Sequence, residues 1–442
     1  MTKGETPEQN WQELAQRLKR QPELSERIER LLEIVENADG DSLTADEVEE
    51  RVVEEIRRIG HDALQGWARR KAARLEGEDE CRAGLERRGK KRLYWQTRFG
   101  QVGVDEQVWR GKQSNHVVRP FVQAARVSCR GYSVGLQRVV TDFAADSSFA
   151  AAVEKVREHY GVEVCAGTVR AITEGHAALM SEETETAARM PASGVRQMIG
   201  EMDGSLIPCV KIEENKGDRR KQRVVSWHEA KLCMAEVVGR AQPRFGATMP
   251  AAEQAGRQWR QVAIEAGAGQ HTQLHCVGDG ARWIVAQVHE QFGAQADYLL
   301  DFYHVSEYLA AAGQAIARQR SRAWLTEQQV RLKENKVAEV SAELARCREP
   351  AAIADAEAPV RRCERYLRDR QAYLNYQRAI AAGLPIGSGE IESGHRSVVQ
   401  ARLKISGAWW LVENAEKMLA LRVTRANGEW QSYWRQQRQA HA

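Results

Sequence analysis

Between Gln197 and Asp301, short apolar runs with the period-two texture of strands alternate with longer runs of helical period. This order restricts the region to a layered arrangement of sheet and helix. Gln197 to Asp203 and Leu206 to Ile212 read as strands around an Asp-Gly turn, and Ala230 to Val238 reads as a third strand. Pro250 to Ala266 is helical in composition, Gln273 to Val277 is a fourth strand, Ala281 to Phe292 a helix, and Tyr298 to Asp301 a fifth strand. A charged, arginine-rich helical stretch runs from Val305 to about Ala382, and the loop Gly383-Leu384-Pro385-Ile386-Gly387-Ser388-Gly389 then opens a last helix. The expected order is βββαβαβα, that of an α+β, ribonuclease H-like domain with a helical insertion before its final helix.

Upstream, residues 8 to 88 carry apolar positions at three and four spacing, as in Trp11, Leu14, Leu18 and Leu24, Ile28, Leu31, which predicts a helical N-terminal region. From Leu93 to Arg110 the period changes to two, giving a small hairpin around Phe99-Gly100. Ser147 and Ser148 open a helix, Gly161 breaks it, and Thr168-Val169-Arg170-Ala171-Ile172 begins another. The pair fits a helix-turn-helix with Thr168, Arg170 or Thr173 at a DNA groove, and fits a generic helical hairpin equally well. The expected organisation is a helical region over 1–92, a hairpin plus DNA-binding helices over 93–190, a first catalytic part over 191–304, a helical insertion over 305–384, and a closing catalytic part with the tail over 385–442.

Three carboxylates stand at the punctuation of this pattern. Asp203 and Asp279 each follow a strand-like run and precede a glycine, and Glu392 lies at the start of the last helix. In isolation each has a bland reading: Asp-Gly marks turns, Gly278-Asp279-Gly280 suits a strand-to-helix turn, and Glu390 or Glu392 complements a helix dipole. Glu390 and Glu392 are about 200° apart on a helix, so only one of them faces a given cleft. Taken together, carboxylates that converge repel one another and take up protons unless a cation neutralises them, so a cluster predicts a divalent metal. Two Mg²⁺ or Mn²⁺ ions would then serve phosphoryl transfer on nucleic acid, with Arg396 and Lys404 placed to absorb phosphate charge. Asp301 and His304, three apart at the end of the fifth strand, are expected to line the same cleft.

Composition sets limits on this picture. The chain has 442 residues, a formal net charge of +4 and eight cysteines with no C-x-x-C pair, so neither a disulfide framework nor a thiolate zinc site is expected. No apolar run approaches the roughly 20 residues that cross a bilayer, and a cytoplasmic location without membrane partners is expected. Basic residues concentrate at Arg87, Arg88, Lys90, Lys91 and Arg92, and again from Arg396 to Lys404. Arg88 and Lys91 are the candidate phosphate contacts in the first patch.

The ordered set Thr97-Arg98-Phe99-Gly100, Asp203-Gly204, Val277-Gly278-Asp279-Gly280, Leu300-Asp301-Phe302-Tyr303-His304, Gly387-Ser388-Gly389-Glu390-Ile391-Glu392 and Glu429-Trp430-Gln431-Ser432-Tyr433-Trp434 resembles bacterial insertion-sequence transposases of the DDE class. The resemblance is to the Mutator-like branch with a C/D-x-x-H signature, of the ISKra type, and covers most of the chain after about residue 90. It implies that Asp203, Asp279 and Glu392 form the metal-binding triad, with Glu392 selected over Glu390, and that Asp301 and His304 sit beside it. It further implies DNA partners, namely transposon ends and target DNA, a homodimer or higher oligomer on DNA, association with the bacterial nucleoid, and cleavage followed by strand transfer. An insertion-domain Trp that stacks on an extruded base would correspond to Trp324. Many members carry cysteine pairs after the hairpin, whereas Gly111-Lys112-Gln113-Ser114-Asn115-His116 has none, so no zinc module is expected. The competing expectations are a DNA-binding regulator descended from a transposase, a nuclease or resolvase that hydrolyses without strand transfer, and, least of all, a glycoside hydrolase built on paired carboxylates.

Overall fold

A computed structural model describes residues 7–36, 43–77, 85–112, 116–127, 130–182, 189–212 and 223–440. Residues 113–115, within the segment expected to lack a zinc module, lie outside the described residues. The chain divides into two compact units, residues 1–173 with 431–442, and residues 174–430. No helix among the described residues is long and apolar enough to cross a membrane.

The first unit opens with helices α1 (Pro7–Lys19), α2 (Pro22–Glu36) and α3 (Ala45–Gly77), followed by strands β1 (Leu85–Thr97), β2 (Gly100–Gly111) and β3 (Val117–Val118), helix α4 (Pro120–Ala125) and strand β4 (Gly131–Tyr132). The sheet order is β3-β2-β1-β4. Ala68 and Ala72 of α3 pack with Leu93, Val102, Val104 and Phe121, so the small residues of the long helix let it lie close on the hairpin. The hairpin is longer than its period-two signal, because β1 begins at Leu85 and takes in the basic run. Its register shifts between Arg87 and Lys90, where Gly89 has φ +85°. Helices α5 (Val134–Asp146), α6 (Phe149–Tyr160) and α7 (Ala166–Glu182) follow. The expected cap and break both occur: Ser148 Oγ accepts from the Ala151 N–H at 3.1 Å, and Gly161 ends α6 at φ +62°. Val156, Val162 and Val169 join Leu136 and Val140 in one apolar cluster that holds α5, α6 and the start of α7 together.

In the second unit the order is β5 (Gln197–Ile212), β6 (Arg223–Val237), β7 (Arg244–Thr248), α8 (Ala252–Glu265), β8 (Gln273–Gly278), α9 (Arg282–Phe292) and β9 (Ala296–Leu300). The sheet runs β7-β6-β5-β8-β9, with β6 antiparallel to both of its neighbours β5 and β7, and with β8 and β9 parallel to β5. This is a mixed α+β unit. The Asp203-Gly204 pair is not a turn. It sits inside one continuous strand, paired Asp203 to Leu232 and Gly204 to Lys231, because β6 offers an unbroken partner from Val237 to Arg223. Fifteen residues of ladder outweigh a two-residue turn preference. Accordingly β6 starts earlier than Ala230, and the third antiparallel strand is β7.

Trp259 of α8 seals one sheet face against Met198, Met202, Cys276 and Phe292, its Nε1 donating to the Met234 carbonyl at 2.8 Å. The insertion consists of α10 (Phe302–Ala317), α11 (Ser321–Lys333), α12 (Val337–Arg346), α13 (Pro359–Asp369) and α14 (Tyr376–Ala381). It shares a core with the end of the sheet, since Leu309, Leu332, Val340, Leu367 and Tyr376 cluster with Val277, Leu299 and Leu300. Helix α15 (Gly389–Gly394), a π-helical segment His395–Gln400, α16 (Ala401–Leu403), α17 (Val412–Ala426) and α18 (Trp430–Ala440) complete the chain.

Trp324 lies within the insertion core. It is 8% exposed, its indole N–H donates to Glu343 Oε1 at 2.5 Å, and Gly313 leaves room for its ring. That placement is a packing role, not an exposed stacking surface for a base. Trp324→Ala is expected to lower the unfolding free energy by about 3–5 kcal/mol in urea denaturation, and a loss below about 1 kcal/mol would return the indole to a surface role.

Candidate functional site

Asp203 projects from the middle of β5, on the strand face opposite Met202, which packs in the α8 core. Its side chain is 39% exposed, yet its carboxyl is raised to about 6. Desolvation is the largest cause, the Gly204 N–H opposes it, and the charges of Asp279, Glu229 and Glu392 add to it. Carboxylates distant in sequence therefore feel one another's charge here.

Asp279 lies just past the end of β8, in a turn held from several directions. Its Oδ1 accepts from the Ala281 N–H at 2.7 Å, and its backbone carbonyl accepts from the Tyr366 hydroxyl at 2.6 Å. The neighbouring Gly280 donates its N–H to the Tyr298 hydroxyl at 2.9 Å, and its carbonyl accepts from Arg370 Nε at 3.0 Å. Gly280 has φ +79°, and a Cβ there would lie 2.5 Å from both Arg370 and Leu300, so only glycine fits this turn. The insertion helix α13 and its end thus grip the backbone that carries Asp279.

Glu392 is on α15 with its side chain 58% exposed, 3.7 Å from Arg396. The two candidate glutamates of this helix diverge as their spacing requires. Glu392 acts on Asp203, whereas Glu390 acts on Glu201 and Glu236. Lys404 donates from Nζ to Ser205 Oγ at 2.8 Å, two residues along the Asp203 face of β5. Arg396 is exposed.

Asp301 is 3% exposed and performs a different task from the one expected of it. Its Oδ1 caps α10 by accepting from the His304 N–H at 2.8 Å, and its Oδ2 accepts from the Ser388 N–H at 2.6 Å and from the Ser388 hydroxyl. The Asp-x-x-His pair is joined through the His304 backbone. The imidazole itself stands 3.6 Å from Glu307, edge-on to Tyr308 and Tyr366. Asp301 therefore anchors the loop that leads to Glu392, and His304 sits against the tyrosine that holds Asp279.

Two residues here carried no expectation. Glu201, two positions before Asp203 on the same strand face, is 1% exposed, and its Oε2 accepts from the Ile391 N–H at 2.8 Å. Burial raises it to about 8, with Glu390 and Asp301 adding to the shift. A glutamate inside an otherwise apolar strand run is the available sequence signal. His395 is 3% exposed, its Nε2 stands 3.5 Å from Asp203 Oδ2, and neither ring nitrogen has a hydrogen-bond partner. Burial lowers it to about 4, with the Asp203 main chain opposing the shift and Lys404 reinforcing it. Its signal is Glu392-x-x-His395, a spacing that puts both side chains on one helical face.

Among the described residues, no three His, Cys, Asp or Glu side chains stand close enough as placed to hold a metal ion. The donor chemistry nevertheless fits a divalent cation. The charges of Asp279, Glu229 and Glu392 bear on Asp203, and the buried imidazole 3.5 Å from its carboxylate makes no side-chain hydrogen bond.

The nucleic-acid candidates of the first unit are dispersed. Lys91 and Arg170 are exposed, and Arg88 is paired with Glu86 at 2.9 Å. Thr168 Oγ1 contacts Cys165 Sγ at 3.2 Å. Thr173 is fully buried with its hydroxyl donating to the Val169 carbonyl at 2.7 Å, so it does not face a groove.

The buried Glu201 sets a pH signature. A folded-state value near 8 against 4.5 means that the folded chain holds a proton the unfolded chain releases. Its contribution is complete below 4.5 and is lost as pH rises toward 8, by up to roughly 1.4 kcal/mol per pH unit. Glu201→Gln keeps the acceptor for Ile391 and removes the titration. The stability of Glu201→Gln relative to wild type is expected to rise from pH 5 to pH 8 in urea denaturation, and a difference independent of pH would refute the buried proton.

No curated protein matches the chain. A family model described as an uncharacterised protein family, UPF0236, matches residues 38–439, and the chain belongs to that family.

Proposed function

We propose that the chain is a metal-dependent DNA transposase of the DDE class, in the Mutator-like branch, acting through Asp203, Asp279 and Glu392. The observation that carries this reading is the carboxyl of Asp203, raised first by desolvation and further by the charges of Asp279 and Glu392, 76 and 189 residues away in sequence. The strand order β7-β6-β5-β8-β9, three antiparallel strands followed by two parallel ones, supports a ribonuclease H-like core with a helical insertion. In that arrangement the carboxylates come from the central strand β5, from the end of its neighbour β8, and from the helix after the insertion.

One or two divalent cations would supply charge neutralisation at the scissile phosphate and an activated oxygen nucleophile. Asp203, Asp279 and Glu392 would hold them. The chain's own residues do the positioning. Tyr366, Arg370 and Tyr298 fix the Asp279 turn, and Asp301 fixes the Ser388 loop. Lys404 and Arg396 lie near the carboxylates as the cationic side chains that receive phosphate charge. End recognition falls to the first unit, through the exposed lysine and arginine side chains of β1 and the start of α7.

Purified protein incubated with labelled DNA carrying the element's end and its flank is expected to nick at the end with Mg²⁺ or Mn²⁺ and not with EDTA. Glu392→Gln and Asp279→Asn are expected to lower cutting by at least about 10³-fold while retaining DNA affinity. Binding without cutting under any metal would move the chain to the class of DNA-binding regulators, and cutting without end joining would make it a nuclease. Arg170→Ala is expected to weaken end binding by about 5- to 50-fold in a titration of labelled DNA, and unchanged affinity would remove α7 from the interface.

A further inference from the structure

Resting on the reading of Asp203 and Glu392 as cation ligands, we propose that His395 is a direct ligand of the same cation, and that the centre selects Mn²⁺ over Mg²⁺. A hidden imidazole with both nitrogens unpartnered is rare, because burying a polar group without a hydrogen bond costs about 1–3 kcal/mol. His395 is 3% exposed, neither ring nitrogen meets a hydrogen-bond partner, and Nε2 lies 3.5 Å from Asp203 Oδ2.

The gap itself is informative. At 3.5 Å the pair fails as a hydrogen bond. Two neighbouring donors each about 2.1 Å from an octahedral cation lie about 3.0 Å apart, so a small rotation of the Asp203 carboxylate lets both atoms reach one ion. Glu392 lies three residues before His395 on the same helical face and contributes to the field at Asp203. Its side chain is 58% exposed and stands 3.7 Å from Arg396.

The backbone is also unusual at this point. From His395 to Gln400 it is π-helical, a rare conformation that is frequent at functional sites. The charged and titratable groups facing the imidazole are Asp203 and Lys404.

A nitrogen donor changes which ion is preferred. Carboxylate and water suit Mg²⁺, Ca²⁺ and Mn²⁺ alike, whereas imidazole favours transition-metal ions, and Mg²⁺ accepts it poorly. Two carboxylates and one imidazole make a set that Mn²⁺ satisfies better.

The test uses the full chain without DNA. Mn²⁺ is titrated and followed by electron paramagnetic resonance, with pulsed measurement of ¹⁴N modulation from directly bound nitrogen. Wild type is expected to bind Mn²⁺ with ¹⁴N modulation, and Mg²⁺ to displace it only in about 100-fold excess. His395→Gln is expected to lose the modulation and weaken Mn²⁺ by about 10- to 100-fold, and Asp203→Asn to lose the bound ion. Bound Mn²⁺ that vanishes in Asp203→Asn but shows no nitrogen modulation in wild type would overturn the role of His395 and leave the carboxylate site standing. No Mn²⁺ bound to wild type would overturn both. Should His395→Gln fail to fold, the wild-type spectrum together with Asp203→Asn decides the matter.

Discussion

A single buried carboxylate, Asp301, fixes the geometry on which the rest of the site depends. It caps the first insertion helix with one oxygen and holds Ser388 with the other, joining points 87 residues apart. Its own N–H bonds the Gly278 carbonyl at 2.7 Å, and the next N–H, from Phe302, bonds the Ile386 carbonyl at 2.8 Å. The chain leaves the sheet at the end of β9, builds five helices, and returns to the place it left. The loop that delivers Glu392 is thereby set against the β8 end that delivers Asp279. Charge-assisted hydrogen bonds to a buried carboxylate are among the stronger polar contacts available, and leaving such a charge unpaired would be costly.

The insertion takes part in this geometry directly. Tyr366 stacks on Tyr308 with ring centroids 4.0 Å apart and carries Arg370 over its other side at 4.2 Å, while its hydroxyl reaches the Asp279 carbonyl. A rigid aromatic sandwich therefore sits behind a turn whose central glycine is in the left-handed region. Shifting α13 would move Asp279 through two hydrogen bonds, so the insertion core and the carboxylate turn behave as one packed body.

Much of this was legible from residue pattern alone, and the exceptions have a common cause. Strands ending at Gly278 and Leu300 declared themselves by apolar runs bounded by glycine or aspartate, and the α6 cap by Ser148 and Gly161. The Asp203-Gly204 turn did not materialise because local preference cannot foresee a partner strand that continues past it. Gly204 instead makes room for the Glu229 side chain from β6, where a Cβ would come within 2.3 Å. The spacing of Asp301 and His304 does not contain the role the fold gives them, since the capping bond uses a backbone N–H. Glu201, His395 and Thr173 depend on burial, which only the assembled fold defines.

Burial also sets the charge that the cleft presents. Glu201 and His395, both beside Asp203, are held neutral near pH 7 by desolvation. The other carboxylates of the cleft, Asp203, Asp279, Glu229 and Glu392, are set against Lys404, Arg396 and Lys231, the last already paired with Glu229 at 3.1 Å. Under the proposed reading a phosphate cannot approach those carboxylates until a cation has neutralised them, because like charges at short range cost several kcal/mol in a partly desolvated site. Metal must therefore enter before, or together with, the scissile strand. Holding DNA in the meantime then falls to basic surfaces away from the carboxylates, whose affinity depends on salt and not on metal. Separate requirements for holding and for cutting follow from the same electrostatics that raise the Asp203 carboxyl.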